Sequence, residues 1–199
     1  MYIPTAYKNT NIEEVELFLK EHQFGILINQ VEGKPWGTHI PMVLEKSAEG
    51  KSVLVGHIAK ANPQAKTLNE GATFLAIFNG PHAYVSSSWY KEEEVPTWNY
   101  IAVHVYGTMR ILNTEERMDS LHRLVNLNEK TVKCPINLNS FSEATLQQAN
   151  GVVGFELSVD TIEAAYKLSQ TREEDHSNII SELVAGDQKA KEIAAKMKK

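Results

Sequence analysis

From Gly25 to Leu112 the chain is written in short apolar stretches, each cut by glycine, proline or asparagine and none longer than a strand. This texture limits the fold more than any other feature. Gly25–Asn29 and Trp36–Leu44 flank the turn-forming run Val31-Glu-Gly-Lys-Pro35 and read as a hairpin. Ser52–Ile58 follows the Glu49-Gly50 turn as a third strand. Thr73–Asn79 reads as a buried strand, interrupted at Gly80-Pro81 and resumed over Tyr84–Ser86. Asn99–Leu112 alternates well enough for one long strand, with Val103, Val105 and Gly107 on one face, and Val152–Ala164 reads as a strand-pair region.

Helical periodicity brackets and punctuates these strands. Asn11–His22 carries a capping asparagine and Glu14 at the capping-box position. Gln64–Leu68 and Ser142–Ala149 read as short helices. Asn113 caps a helix over Thr114–Leu127 whose core stripe is Met118, Leu121, Leu124 and Val125. Glu173–Met197 is helical, split at Gly186, with Asp187 capping its second piece.

Five to seven strands with short helices between them suit a closed antiparallel barrel better than an alternating parallel sheet. No G-x-G-x-x-G opens a helix and no G-x-x-x-x-G-K-[ST] loop is present, so dinucleotide-binding and P-loop readings lose their main support. The expected fold is mainly β with helices (α+β). With 199 residues the chain fits one barrel domain over 1–172, followed by a helical extension over 173–199 that packs on the barrel or on a dimer partner. No apolar run approaches the ~20 residues of a membrane span. The start Met1-Tyr-Ile-Pro4 lacks the basic and apolar regions of an export signal, so a cytoplasmic address is expected. Cys134 stands alone, which excludes an internal disulfide.

The formal charge of −5 bears on partners. Non-specific affinity for DNA comes mainly from Lys and Arg neutralising phosphates, and this chain lacks that footprint. Its one basic run, Lys189, Lys191, Lys196, Lys198 and Lys199, reads as a solvated helix face.

Four segments carry candidate chemistry. Gly56-His-Ile-Ala-Lys-Ala-Asn-Pro-Gln64 runs from a strand end through a proline break into a helix start, where unpaired amides attract a phosphate. Lys60 and Lys66 add charge, and His57, Asn62 and Gln64 add hydrogen bonds; the plainer reading is a turn in which Asn62 caps the helix. Phe78–Tyr90 and Val95–Tyr100 bring Tyr84, Trp89, Tyr90 and Trp98 together among hydroxyls, as a flat ring ligand, a barrel core or a dimer interface would need. Lys167–Arg172 is a late polar run able to reach back to an earlier site. His39, His57, His82 and His104 lie near these segments without H-E-x-x-H or a paired carboxylate, so no metal site is expected, while haem would need only one of them. Ser86-Ser87-Ser88 sits in no nucleophile elbow.

In this order the segments resemble the PaiB family of FMN-binding negative transcriptional regulators. The matching pieces are Met1-Tyr-x-Pro, His39-Ile-Pro, Gly56-His-Ile-Ala-Lys-Ala-Asn-Pro-Gln, Gly80-Pro-His-Ala-Tyr-Val-Ser, Trp89-Tyr, Val95-Pro-Thr-Trp-Asn-Tyr, Val103-His-Val-x-Gly and Lys167-Leu-Ser-Gln. The chain departs from the family pattern at Ser87 where proline is frequent, at Ala65 where tryptophan is common, at Lys60 where arginine is frequent, and near Cys134-Pro135, where a tryptophan often found after the Glu129 region is absent.

The resemblance implies a split β-barrel related to pyridoxamine-phosphate oxidase and flavin reductases, acting as a homodimer with FMN in clefts at the subunit interface. It implies repression of genes for sporulation and secreted degradative enzymes. By the same analogy the turn from Lys60 to Gln64, with Asn62 and Pro63, holds the flavin phosphate, and His57 and Ala59 before it are cofactor-binding. Tyr84, Ser86, Trp98 and Asn99 line the ring or ribityl side, and Ser169 and Gln170 approach from the late segment, from the same or the other subunit. The alternatives within the superfamily are an FMN-dependent oxidoreductase and a haem-binding or haem-degrading enzyme. A cofactor-free interaction protein that keeps only the barrel is a third reading.

Overall fold

Glu32 and Gly33 both hold positive φ, 52° and 77°, so a two-residue turn folds strand Phe24–Val31 (β2) directly onto Lys34–Lys46 (β3). The expected hairpin is present, with a tighter turn than the five-residue run implied. The computed structural model describes residues 1–198; Lys199, the last of the basic run, lies outside them. The other strands are Lys8–Asn9 (β1), Ser52–Ala59 (β4), Thr73–Val85 (β5), Thr97–Ile111 (β6), Val152–Ser158 (β7) and Thr161–Lys167 (β8). The helices are Ile12–Glu21 (α1), Thr114–Glu129 (α2), Glu143–Leu146 (α3), His176–Ala185 (α4) and Gln188–Met197 (α5).

The sheet order is β1-β8-β6-β5-β2-β3-β4-β7, and a further β6–β7 pairing closes six of its eight strands into a ring. The barrel expected from the strand pattern is therefore there, with β1 and β8 added outside the ring. The chain divides into two compact units, one of Leu19–Ile77 and Val105–Thr161, the other of Met1–Phe18, Phe78–His104 and the residues from Ile162 on.

The first unit holds Leu27, Met42, Leu54, Ile58, Met109, Phe155 and Leu157 almost fully buried. Each such side chain contributes about 1.5–3 kcal/mol of burial. Two glycines make this packing fit. A Cβ on Gly56 would meet the Phe155 ring at 2.8 Å, and one on Gly107 would meet the Ser158 carbonyl oxygen at 1.7 Å. α2 begins with a complete capping box between Asn113 and Glu116. Its buried residues are Arg117 and Ser120, whereas the predicted stripe of Met118, Leu121, Leu124 and Val125 is only half-buried. The helix turns this more polar face inward because Gly154 on β7 leaves room for the Arg117 stem, 3.0 Å from where a Cβ would stand.

The second unit is organised around α4 and α5. Ile179, Leu183, Ala190, Ile193, Ala194 and Met197 bury themselves with Ala83 and Val85, the last residues of β5. Asp187 accepts the Ala190 N–H at 2.9 Å and so caps α5 as expected. β5 runs unbroken through Gly80-Pro81, where an interruption was expected. Gly80 serves packing: a Cβ there would lie 2.7 Å from the Phe18 ring and 3.2 Å from Ile101. Asn11 caps α1 through Glu14 N–H, but the Glu14 carboxylate takes the Asn9 amide, and Asn9 in turn receives Asn11 N–H. Asn9 thus replaces the reciprocal arm of the expected capping box.

Candidate functional site

The twelve residues expected at a cofactor fall six and six into the two units. In the first unit, β4 ends at Ala59 and the chain turns through Lys60-Ala61-Asn62 into the 3₁₀ turn Pro63–Thr67. Its amides are largely spent. Lys60 N–H donates to the Gly151 carbonyl at 2.8 Å, Asn62 N–H to Ala59 at 2.9 Å, and Ala65 N–H to Asn62 at 2.9 Å. The Asn62 Oδ1 accepts Gln64 N–H at 2.9 Å, and Pro63 has no N–H to offer. The open amide cradle expected at this junction is therefore closed by Asn62, which caps the turn. What the corner offers an anion is side-chain charge, from the exposed Lys60 and Lys66.

Gln64 is wholly buried. Its Nε2 donates to the Leu27 carbonyl at 3.1 Å and to Asn29 Oδ1 at 3.0 Å, while its Oε1 is buried without a partner among the described residues. Asn62 Nδ2 donates to Thr38 Oγ1 at 3.0 Å. These two side chains stitch the corner to the β2–β3 hairpin, and the idle Gln64 oxygen is one open acceptor beside it.

His57 stands opposite Gly154 across the β4–β7 ladder and lines a small cavity with Glu45, Ser120 and Leu124. Burial there holds its pKa below the ordinary histidine value. Arg117, which sequence reasoning passed over, reaches the same ground over Gly154. Its Nη2 donates to Asn150 Oδ1 at 3.1 Å and its Nε is buried with no acceptor among the described residues.

In the second unit, Trp98 and Tyr84 are about half exposed, at 53% and 46%. Trp98 stands edge-on to Tyr84 with ring centres 6.0 Å apart and tilted against His82 at 5.8 Å. With Trp89, these rings line a groove of about 490 Å³ whose other wall is Glu182, Asp187 and Lys189 from α4, α5 and their junction. An exposed aromatic pair at a groove is what a flat ring ligand needs. Ser86 caps a short 3₁₀ turn, taking Ser88 N–H at 3.2 Å.

Asn99, Ser169 and Gln170 are occupied within the unit. Asn99 is fully buried; its Nδ2 donates to Ser169 Oγ at 2.9 Å, and that hydroxyl donates back to Asn99 Oδ1 at 3.1 Å. Asn99 Nδ2 also meets the Met197 sulfur at 3.5 Å. Gln170 Oε1 accepts Leu168 N–H at 2.7 Å, and its Nε2 donates to the Tyr166 and Ala6 carbonyls. Ser169 holds φ 57°, so this pair of side chains pins a strained turn.

Burial lowers the His104 pKa, the N-terminal ammonium lowers it further, and Glu163, which pairs with that ammonium, opposes both. Among the described residues no group of three or more His, Cys, Asp or Glu is placed to hold a metal, and no helix is long and apolar enough to cross a membrane.

The sequence pattern of the family described as "Putative FMN-binding domain" matches residues 1–161. The chain is 42% identical over 185 residues to the protease synthase and sporulation protein PAI 2 of Bacillus subtilis, covering 92% of this chain and 89% of that one. Among solved structures, a FAD and haem binding protein of Mycobacterium smegmatis superposes with a TM-score of 0.64 at 15% identity, over 86% of this chain and 79% of that one. The flavocytochrome Anf3 of Azotobacter vinelandii superposes with a TM-score of 0.60 at 15% identity, over 86% and 75%. At such identities these two likenesses speak to the fold, which is the split barrel of flavin-binding proteins.

Proposed function

Since the chain belongs to the PaiB family of FMN-binding split-barrel proteins, we propose that it holds FMN with the phosphate at the Lys60 corner and acts as a regulatory flavoprotein. The observation that carries the reading is that corner. The family match runs through it, the whole segment Gly56–Gln64 contains no acidic residue, and Lys60 leaves it exposed. A phosphate dianion meets charge there without a competing carboxylate on the same segment. Asn62, Pro63 and Gln64 fix the turn, and Ala59 sets the strand end from which Lys60 projects. The exposed rings of Tyr84 and Trp98 are the surface offered to the isoalloxazine, contributed within a homodimer. Asn99, Ser169, Gln170 and Ser86 hold the segments that carry those rings. Bound FMN supplies one- and two-electron redox chemistry.

The regulatory half of the reading follows the sporulation protein of Bacillus subtilis, which is 42% identical. A chain of charge −5 has little electrostatic drive toward DNA, so repression of sporulation and degradative-enzyme genes in the cytoplasm is proposed to run through a protein partner.

Titration of FMN into the flavin-free protein, read by quenching of flavin fluorescence, tests the corner. Lys60→Ala is expected to weaken binding roughly tenfold or more, the loss of one charge-assisted contact. Equal affinity in wild type, Lys60→Ala and Asn62→Ala would remove the phosphate from this corner. A gel shift with promoter DNA at low salt would remove the partner-mediated route.

A further inference from the structure

Every other arginine of the chain is paired with a carboxylate. Arg110 pairs with Glu116 and Glu156 at 2.8 Å each, Arg123 with Glu45 at 3.0 Å, and Arg172 with Glu94. Arg117 is only 8% exposed, so it needs a counter-charge more than any of them, and among the described residues the one partner of its guanidinium is the neutral Asn150 amide at 3.1 Å. A guanidinium has five donors, and Nε, facing the same edge as Nη2, is buried and idle. A leucine would fill the space over Gly154 without the cost of burying a charge. A buried cation left half-satisfied beside an exposed amide is a feature that an incoming anion completes.

Its position says which anion. Asn150 precedes Gly151, and the Gly151 carbonyl accepts the Lys60 N–H at 2.8 Å. The Lys60 backbone is thus tied to the residue that follows Asn150, the partner of the Arg117 tip, where β4 ends and β7 begins. Neither Gly56–Gln64 nor Gln147–Phe155 contains an Asp or Glu. Lys60 offers a point charge, and the Nε/Nη2 edge of Arg117 offers a planar fork that matches two oxygens of one phosphate.

We propose that Arg117, with Asn150 at its edge and Lys60 beside it, forms a binding subsite for a phosphate monoester dianion. The proposal rests on the reading of Lys60 as the flavin-phosphate cation and supplies the fork that Lys60 alone lacks. Free phosphate has the same chemistry, so the test carries both sources.

FMN and riboflavin, which lacks the phosphate, are titrated into wild type, Arg117→Gln, Arg117→Lys and Asn150→Asp. Thermal midpoints are recorded with and without inorganic phosphate. Asn150→Asp places a carboxylate on the guanidinium from within, so it should keep or raise the midpoint while blocking the subsite; it covers the outcome that Arg117→Gln does not fold. Expected are a wild-type preference for FMN over riboflavin of about tenfold or more, its loss in Arg117→Gln and Asn150→Asp with riboflavin affinity unchanged, and an intermediate value in Arg117→Lys. Inorganic phosphate should raise the midpoint of wild type and not of these two variants.

An FMN preference that survives in Arg117→Gln and Asn150→Asp overturns the subsite and leaves the Lys60 reading standing. Equal wild-type affinity for FMN and riboflavin overturns both. Should wild type bind neither flavin, the FMN reading fails alone: a phosphate-dependent midpoint lost in Asn150→Asp still supports the subsite, and no phosphate effect on wild type overturns it.

Discussion

At the scale of single residues, the polar side chains expected at a cofactor divide into those free to meet one and those already engaged. Lys60, Tyr84 and Trp98 are exposed, whereas Gln64, Asn99 and Ser169 are buried and bonded inside their units. Replacing Asn99 by alanine strands the Ser169 hydroxyl and should cost about 1–3 kcal/mol of stability by urea unfolding. An unchanged midpoint would show that the pair is not structural. Two half-buried histidines give a pH dependence. His57 and His104 are both held below the ordinary histidine value, chiefly by burial, so the unfolded chain binds their protons first. Stability is then full above about pH 6.5 and falls as the pH drops through the lowered folded-state values. His57→Gln should shrink the loss between pH 7.5 and pH 5.5, and an identical loss in the variant would assign it elsewhere. The residue types of the corner were legible in the sequence, because a strand end meeting Asn-Pro is a local signal. That Asn62 spends its oxygen on the Gln64 amide was open between two readings, since one side chain cannot be assigned to a cap or a ligand without its neighbours. Arg117 was illegible for another reason: its burial depends on Gly154, far along the chain.

At the scale of elements, hairpins and caps follow the local code closely, and departures arise where a distant element intervenes. The β2–β3 turn and the Asn113 and Asp187 caps lie where turn and cap residues place them. β5 passes through Gly80-Pro81, and residue 80 is a glycine where Phe18 of α1 takes the space, a packing relation that no short-range rule contains. α2 presents Arg117 and Ser120 inward instead of its more apolar neighbours, again because of Gly154. A side chain at Gly107 would drive into the Ser158 carbonyl, so Gly107→Ala should destabilise the β6–β7 closure by about 3 kcal/mol or more. Hydrogen exchange should show the loss first in β7, and an exchange pattern like wild type would contradict this packing. In the second unit, Ile193→Ala removes a fully buried side chain from the α4–α5 cluster and should cost about 2–5 kcal/mol in thermal or urea unfolding. A loss under about 1 kcal/mol would mean the helices pack loosely on the end of β5.

At the scale of the whole molecule, family membership goes with a physical division of labour between two units. One unit carries the Lys60 corner on a segment without Asp or Glu, and the other exposes the Tyr84 and Trp98 rings beside a helical pair. The most direct test of a flavin-holding homodimer is sedimentation of the purified protein with added FMN, followed at the flavin band near ~450 nm. The account predicts that the flavin signal travels with a species of twice the 22.3 kDa chain mass, with one FMN per chain. Flavin left behind while the protein sediments would contradict the cofactor, and flavin travelling with a single chain would contradict the dimer.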